Sequence, residues 1–317
     1  MTPQRPPTVS VIEPISPAFE KVKTILFSPF NLRKWFVIGF CAWLAYLGKG
    51  GGGGNGGGGG RGGRASDIHE GIDQAKDFVL MNLGWIIHVI VVGVMLVMVL
   101  WLVFTWLSSR GRFMFLHCVA QNKAEVKVPW TKFQQHANSL FLFRIVLGLI
   151  GLAVIGVPVL LAVGCIAMIT AGDGAAVIGV LGCFVIGLII IALSIVWVVI
   201  GKFTTDFVVP IMFLQTTSCI AGWREFLRIL SANKARFVLY ILFQIVIALV
   251  IFTIISMGFC IGFCFCCVSL LLLVPYIRTV ILLPVLVFKR AYSLLYLGQF
   301  GPEFDVFRPE TEMALPG

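Results

Sequence analysis

The sequence predicts an all-α, polytopic membrane protein with about six transmembrane helices in three hairpins and interfacial amphipathic helices on the cytoplasmic side. Three observations carry this. Only 12% of the 317 residues are charged, 59% are hydrophobic, and the mean hydropathy is +1.01. A water-soluble chain carries roughly 25% charged residues, so this one has too little charge to cover a water-facing surface. Six apolar runs have cores free of Asp, Glu, Lys and Arg, as a backbone obliged to bond to itself in hydrocarbon requires of its side chains. Between the runs, Lys and Arg gather in alternate connections.

The runs fall at Trp35 to Leu47, Leu83 to Leu107, Ile145 to Thr170, Ala176 to Ile200, Phe237 to Met257 and about Gly258 to Ile277. The first is short, about 20 Å as a helix, and needs Leu32 and Tyr46 near the interfaces to span. Residues 1–34, 108–144, 202–236 and 278–317 carry five, six, five and four Lys or Arg; the loops at 171–175 and 258–267 carry none. The loop at 48–82 has four, offset by Asp67, Glu70, Asp73 and Asp77. The positive-inside rule then places both termini in the cytoplasm. The opening segment, with Lys21, Lys23, Arg33 and Lys34, lacks the signature of a signal peptide. The division expected is 1–34 as an N-terminal segment with an interfacial helix, 35–300 as the transmembrane domain and 301–317 as a cytoplasmic tail. The net charge of +10 serves topology and anionic headgroups rather than nucleic acid.

Residues 48–64 hold 13 Gly in 17 positions, a composition that behaves as flexible coil. Beyond it, Ser66 caps a short predicted helix with Ile68, Ile72, Ala75 and Val79 on one face. The long basic connections resemble one another. Phe113-Met-Phe-Leu116 precedes Trp130-x-x-Phe133 and Asn138, and Ile211-Met-Phe-Leu214 precedes Trp223-x-x-Phe226 and Asn233. A weaker copy at 17–36 carries Phe19 and Trp35, and Leu283-Pro-Val285 echoes Val209-Pro-Ile211. The repeating unit is an interfacial helix followed by a hairpin, with Phe19, Val22 and Leu26, then Trp130, Phe133 and Leu140, then Trp223, Phe226 and Leu230 on the lipid face. Aromatic rings beside Lys and Arg suit the headgroup level.

Candidate chemistry is sparse. His88 is the ionisable side chain well inside a span, and an intramembrane ionisable group is a functional candidate by default; near the outer interface it can equally bond a backbone carbonyl. Gln244 is expected to bridge helices. Asp206 and Arg278 occupy comparable places ahead of Pro210 and Pro284, where an interhelical ion pair or separate headgroup contacts are both open. Arg110 and Arg112 are assigned to topology and headgroup phosphate. Cys260, Cys264 and Cys267 share a helical face, but without His, Asp or Glu nearby they read as small apolar filler, ahead of a disulfide or a metal. No cofactor or metal is implied. Pro158 should bend the third span.

The stretches Arg110-Gly-Arg-Phe-Met-Phe-Leu116 and Tyr292-Ser-Leu-Leu-Tyr-Leu-Gly-Gln-Phe-Gly-Pro-Glu-Phe-Asp305, with Phe30 to Trp35, resemble an uncharacterised family of bacterial and archaeal polytopic membrane proteins. More remotely, the layout is similar to the membrane domain joined to some glycerophosphodiester phosphodiesterases; no catalytic domain accompanies it here, so that activity does not carry over. The expectation is a non-enzymatic organiser of lipid or of partner proteins, acting from an inner-leaflet collar against anionic headgroups, alone or as a homo-oligomer. The alternative is a permease for an apolar or weakly polar solute. A third reading, a lipid enzyme using His117, His136 and Asp206, ranks below both.

Overall fold

In the computed structural model, residues 9–47, 81–171, 175–263 and 274–307 are described. Among them there is no strand, only an isolated antiparallel bridge between Phe27 and Phe30. The helices are α1 (Ile15–Leu26), α2 (Leu32–Tyr46), α3 (Leu83–Gln121), α4 (Lys127–Lys132), α5 (Gln134–Ala171), α6 (Ala175–Phe203), α7 (Val209–Gln215), α8 (Cys219–Ala232), α9 (Lys234–Phe263), α10 (Pro275–Ile281) and α11 (Leu283–Gly298).

Four stretches, Gly84–Gln121, Gln134–Thr170, Ala176–Gln215 and Lys234–Met257, are long and apolar enough to cross a membrane. The α10–α11 pair, bent by 63°, makes up to a fifth. Several such helices indicate a multi-pass membrane protein. The first apolar run forms α2, whose 15 residues reach about 22 Å. Of the sixth, residues 264–273 lie outside the described residues, as do the Gly-rich loop at 48–64, the short helix expected after Ser66, and the side chains of the Cys260–Cys267 cluster.

Helix length separates what lies in lipid from what does not. The 39 residues of α3 extend about 58 Å, against a hydrocarbon core about 30 Å thick. Its burial changes along the way: Val89 to Phe104 are mostly exposed apolar side chains, whereas every residue from Ser108 to Val119 is buried. The other long helices change over at the same end. α5 buries Ala137 and Leu140 before exposing Leu149 and Leu152; α9 buries Phe237, Tyr240 and Gln244 before exposing Val246 and Leu249. The buried core is thus a helical head at the basic end, built from extensions of the long helices with α1, α4, α7, α8 and α11 packed around them.

The basic connection at 108–144, expected to carry one interfacial helix, is therefore mostly helix, and Arg110 and Arg112, assigned to headgroup phosphate, are buried. Arg110 lies between the Trp106 and Trp130 rings, 4.4 and 4.8 Å from their centroids, and Arg112 is buried in the head. A charge ends an apolar run without ending a helix, because the backbone bonding of α3 continues wherever side chains permit. α3 stops at Asn122 and α7 at Thr216, both left-handed with φ of 55° and 50°. Asn tolerates that region; for β-branched Thr it is costly.

Between α6 and α7 the backbone widens into a π turn at Thr204–Val208. Pro210 lacks an N–H and its ring crowds the carbonyl four residues back, at Asp206; widening relieves that conflict without breaking the rod.

The described chain ends close on each other. The Ser10 N–H donates to Gln299 Oε1 at 2.7 Å, Gln299 Nε2 donates back to Ser10 O at 3.1 Å, and Tyr292 OH donates to Val11 O at 2.7 Å. The Tyr292–Asp305 stretch is this clasp, with Phe304 buried beneath it. In α1 the face turned inward is Ala18, Val22, Ile25 and Leu26. Val22 and Leu26, expected on a lipid face, thus pack into the head, as do Phe133, Leu140 and Phe226, while Phe19 is 61% exposed and meets Phe288 at 4.8 Å between centroids.

Cys219 opens α8 over this core. Burial pushes its thiol up to about 12, with Arg112 pulling the other way. The folded thiol holds its proton longer than an unfolded one, which titrates at about 8.5. Stability from this site is intact below that pH and is lost as pH rises toward 12. Between pH 8.5 and 11, the unfolding midpoint of the natural protein should fall faster than that of Cys219→Ala.

Candidate functional site

Polar groups converge where the head meets the apolar part of the rods, on the inner turns of α6, the π turn, α9 and α11. Lys202 and Asp206 stand four residues apart on one helical face, as do Tyr240 and Gln244, so two rods each offer a pair of neighbours. Lys202 Nζ lies 2.8 Å from Asp206 Oδ2 and donates to Gln244 Oε1 at 3.3 Å. Tyr240 OH donates to the same Asp206 oxygen at 3.0 Å, and Gln244 Nε2 donates to Tyr240 OH at 3.3 Å. The four side chains close a ring of hydrogen bonds that ties α6 to α9. From α11, Arg290 NH1 donates to Thr205 O at 2.5 Å, inside the π turn; Arg290 is 5% exposed, and its Nε and NH2 have no hydrogen-bond partner among the described residues.

These groups line a cavity of about 370 Å³, with Tyr46 and Lys289 completing its polar wall. Three cations, Lys202, Lys289 and Arg290, face one carboxylate, Asp206. Since Asp206 is already engaged by Lys202 and Tyr240, the positive charge of Lys289 and Arg290 is left over. Arg112 adds to it from behind, within electrostatic reach of Arg290, Tyr46 and Asp206. A surplus of buried like charge is costly, and the arrangement suits an anion.

The cavity continues into an apolar slot of about 570 Å³ between α6 and α9, and Val198, Lys202, Gln244 and Lys289 belong to both. Ile191, Ile195 and Ile245 line the slot and are more than half exposed. Its walls belong to the parts of α6 and α9 that are apolar enough to cross a membrane.

Of the residues singled out in sequence, Asp206 and Gln244 meet here. Arg278 does not join them: it is exposed on α10, and the place opposite Asp206 is taken by Lys202, one helical turn away on the same rod. His88 is exposed on α3, its Nδ1 2.7 Å from Gly84 O, which is the local backbone bond open to it near an interface. His117 and His136 stand in the head near Phe133, not at the cavity. Lys202, Tyr240, Lys289 and Arg290 were not singled out. The i, i+4 spacing of Lys202 with Asp206 and of Tyr240 with Gln244 could have shown the ring; nothing in the sequence turns Lys289-Arg290 toward it.

A model of a family described as of unknown function (DUF7544) matches residues 9–275. The matched stretch contains the ring residues and stops short of Lys289 and Arg290. No curated protein and no solved structure matches the chain.

Proposed function

We propose, for a chain that belongs to the DUF7544 family of unknown function, a non-enzymatic role: organising lipid at the inner leaflet of a bacterial or archaeal cytoplasmic membrane. In this reading six spans form three hairpins, both termini are cytoplasmic, and the head sits against the inner leaflet. The observation that carries it is a patch at the foot of α1 and the start of α2. Phe27, Phe30, Leu32 and Phe36 are exposed there, each by 47% or more, among Lys23, Arg33 and Lys34. Large exposed rings between cations match the headgroup level, where rings find the interface and cations find phosphate. On α8, exposed Ile220 and Leu227 beside Arg224 and Arg228 repeat the chemistry, in keeping with an amphipathic collar used more than once.

The test is the lipid that travels with the protein. Extracted with its surrounding bilayer in a polymer nanodisc, the natural chain should carry anionic lipid enriched over the parent membrane. The triple variant Lys23→Gln, Arg33→Gln, Lys34→Gln should carry the parent composition. An unenriched shell and no co-purifying membrane protein around the natural chain would end this reading.

The polar cavity beside Gln244 favours a second reading, a permease for an apolar or weakly polar solute. Liposomes holding the protein would then leak such a solute faster than empty ones, and equal rates across a broad panel would remove it.

A further inference from the structure

We propose that the cavity and slot together form a site for one anionic lipid, its phosphate against Arg290 and Lys289 and an acyl chain between α6 and α9. This rests on the lipid-organising reading and adds a defined, stoichiometric site to it. The argument starts from Arg290. A guanidinium that is 5% exposed, with Nε and NH2 lacking a partner among the described residues, belongs to a residue that lines the cavity, while its NH1 is fixed on Thr205 O. The fork of Nε and NH2 matches two oxygens of a phosphate. Lys289, the next residue, lines both compartments, so its charge stands at the junction where headgroup gives way to chain. Lys202 is spent on Asp206 and Gln244, which leaves Arg290 and Lys289 for the phosphate.

The slot supplies the other half. Its walls on α6 run from Ile190 to Phe203 and on α9 from Ile241 to Ala248. The α6 wall is about 20 Å long at 1.5 Å per residue, somewhat more than half of a hydrocarbon core about 30 Å thick. Chain length available, apolar lining and the exposure of Ile191, Ile195 and Ile245 all fit a lipid tail arriving within its own leaflet. A small soluble anion would use the cationic half and leave the slot without a role.

The experiment uses the full chain, freed of bound lipid by detergent exchange and offered phosphatidylglycerol, phosphatidylcholine or inorganic phosphate, with adducts read by native mass spectrometry. One phosphatidylglycerol should remain bound where phosphatidylcholine is lost. Lys289→Met, whose side chain makes no hydrogen bond among the described residues, should weaken retention by about tenfold or more. Ala248→Trp, placed at an exposed slot position, should abolish the adduct while the thermal midpoint stays that of the natural chain. Arg290→Lys keeps a charge and loses the fork, and should also weaken retention. The proposal is overturned if no single adduct survives in the natural chain, if both lipids are held equally, or if Ala248→Trp binds as before. It is also overturned if inorganic phosphate displaces phosphatidylglycerol at millimolar concentration with Ala248→Trp unaffected, which would leave a phosphate site alone. Nanodisc enrichment depends on Lys23, Arg33 and Lys34, so it can fail while this adduct persists, and the reverse; the two readings are separable.

Discussion

Phe207→Ala is expected to destabilise the folded protein by about 3–5 kcal/mol, the range for emptying a large aromatic position in a packed core. Phe207 is completely buried in the π turn. Its ring stacks on Phe226 at 5.3 Å and 8°, meets Phe237 edge-on at 5.3 Å, and lies 4.9 Å from Tyr240. Those three neighbours come from α8 and α9, so one side chain joins the rod, the short helix over it and the next rod. Tyr240 in turn holds Asp206, and a shifted Tyr240 would loosen the cavity ring as well. Denaturant unfolding in a fixed detergent, followed by tryptophan fluorescence, reads the loss. Phe184→Ala serves as the comparison: that ring is 66% exposed in the apolar part of α6 and should change stability by about 0.5 kcal/mol or less. Equal effects at the two positions would mean that the head is not where the protein's cohesion lies.

The contrast between those phenylalanines explains how much of the fold is legible in the sequence. Apolar runs locate helices that cross lipid, because hydrocarbon makes a single demand on every exposed side chain, and Phe184 answers it. The demand ceases at the interface. Beyond it, Arg110 looked like a stop, but its guanidinium lies between two indole rings and the helix runs on to Gln121. Spacing finds the helices α1 and α8 but assigns their apolar stripes to lipid, whereas Val22, Leu26, Phe133, Leu140 and Phe226 are buried in the head and only Phe19 of that set stays largely exposed. A helix that packs on a protein head and one that floats on lipid want similar residues, and only neighbours decide which face turns in. For the site, Asp206 and Gln244 were visible as polar residues near spans. Their partners were hidden by the interpretation given to cations: Lys202 and Arg290 counted toward topology, and both also carry hydrogen bonds inside the protein. A basic residue next to a span serves the positive-inside bias whether it faces water, phosphate or a buried carbonyl, so charge counting is blind to the difference.

Gly111→Ala should separate packing from propensity, because the two predict opposite signs. In the interior of a helix, exchanging Gly for Ala gains about 0.5–1 kcal/mol by restricting the unfolded chain and favouring the helix. At Gly111, however, the added Cβ would lie 2.5 Å from both Ala45 N and Leu44 C. These are backbone atoms near the end of α2, which cannot turn aside as a flexible side chain does. Ser108, one turn earlier on α3, donates to Ala45 O at 3.0 Å, so pushing α2 away would also cost that buried bond. Overpacking of this kind costs about 1–3 kcal/mol, occasionally more, and an unmet buried carbonyl adds about 1–3 kcal/mol. A net loss of at least about 2 kcal/mol is therefore expected. Gly93→Ala, on the same helix with nothing within 4 Å of the new Cβ, should be neutral or slightly stabilising. If Gly111→Ala matched Gly93→Ala in the same unfolding measurement, α2 would not lie against α3 as closely as described. The Arg110-Gly111-Arg112 stretch would then be the surface loop that its composition suggests. If the two differ in sign, that glycine is the point at which a short helix is seated on a long one, and the head is assembled by backbone contact as much as by its aromatic rings.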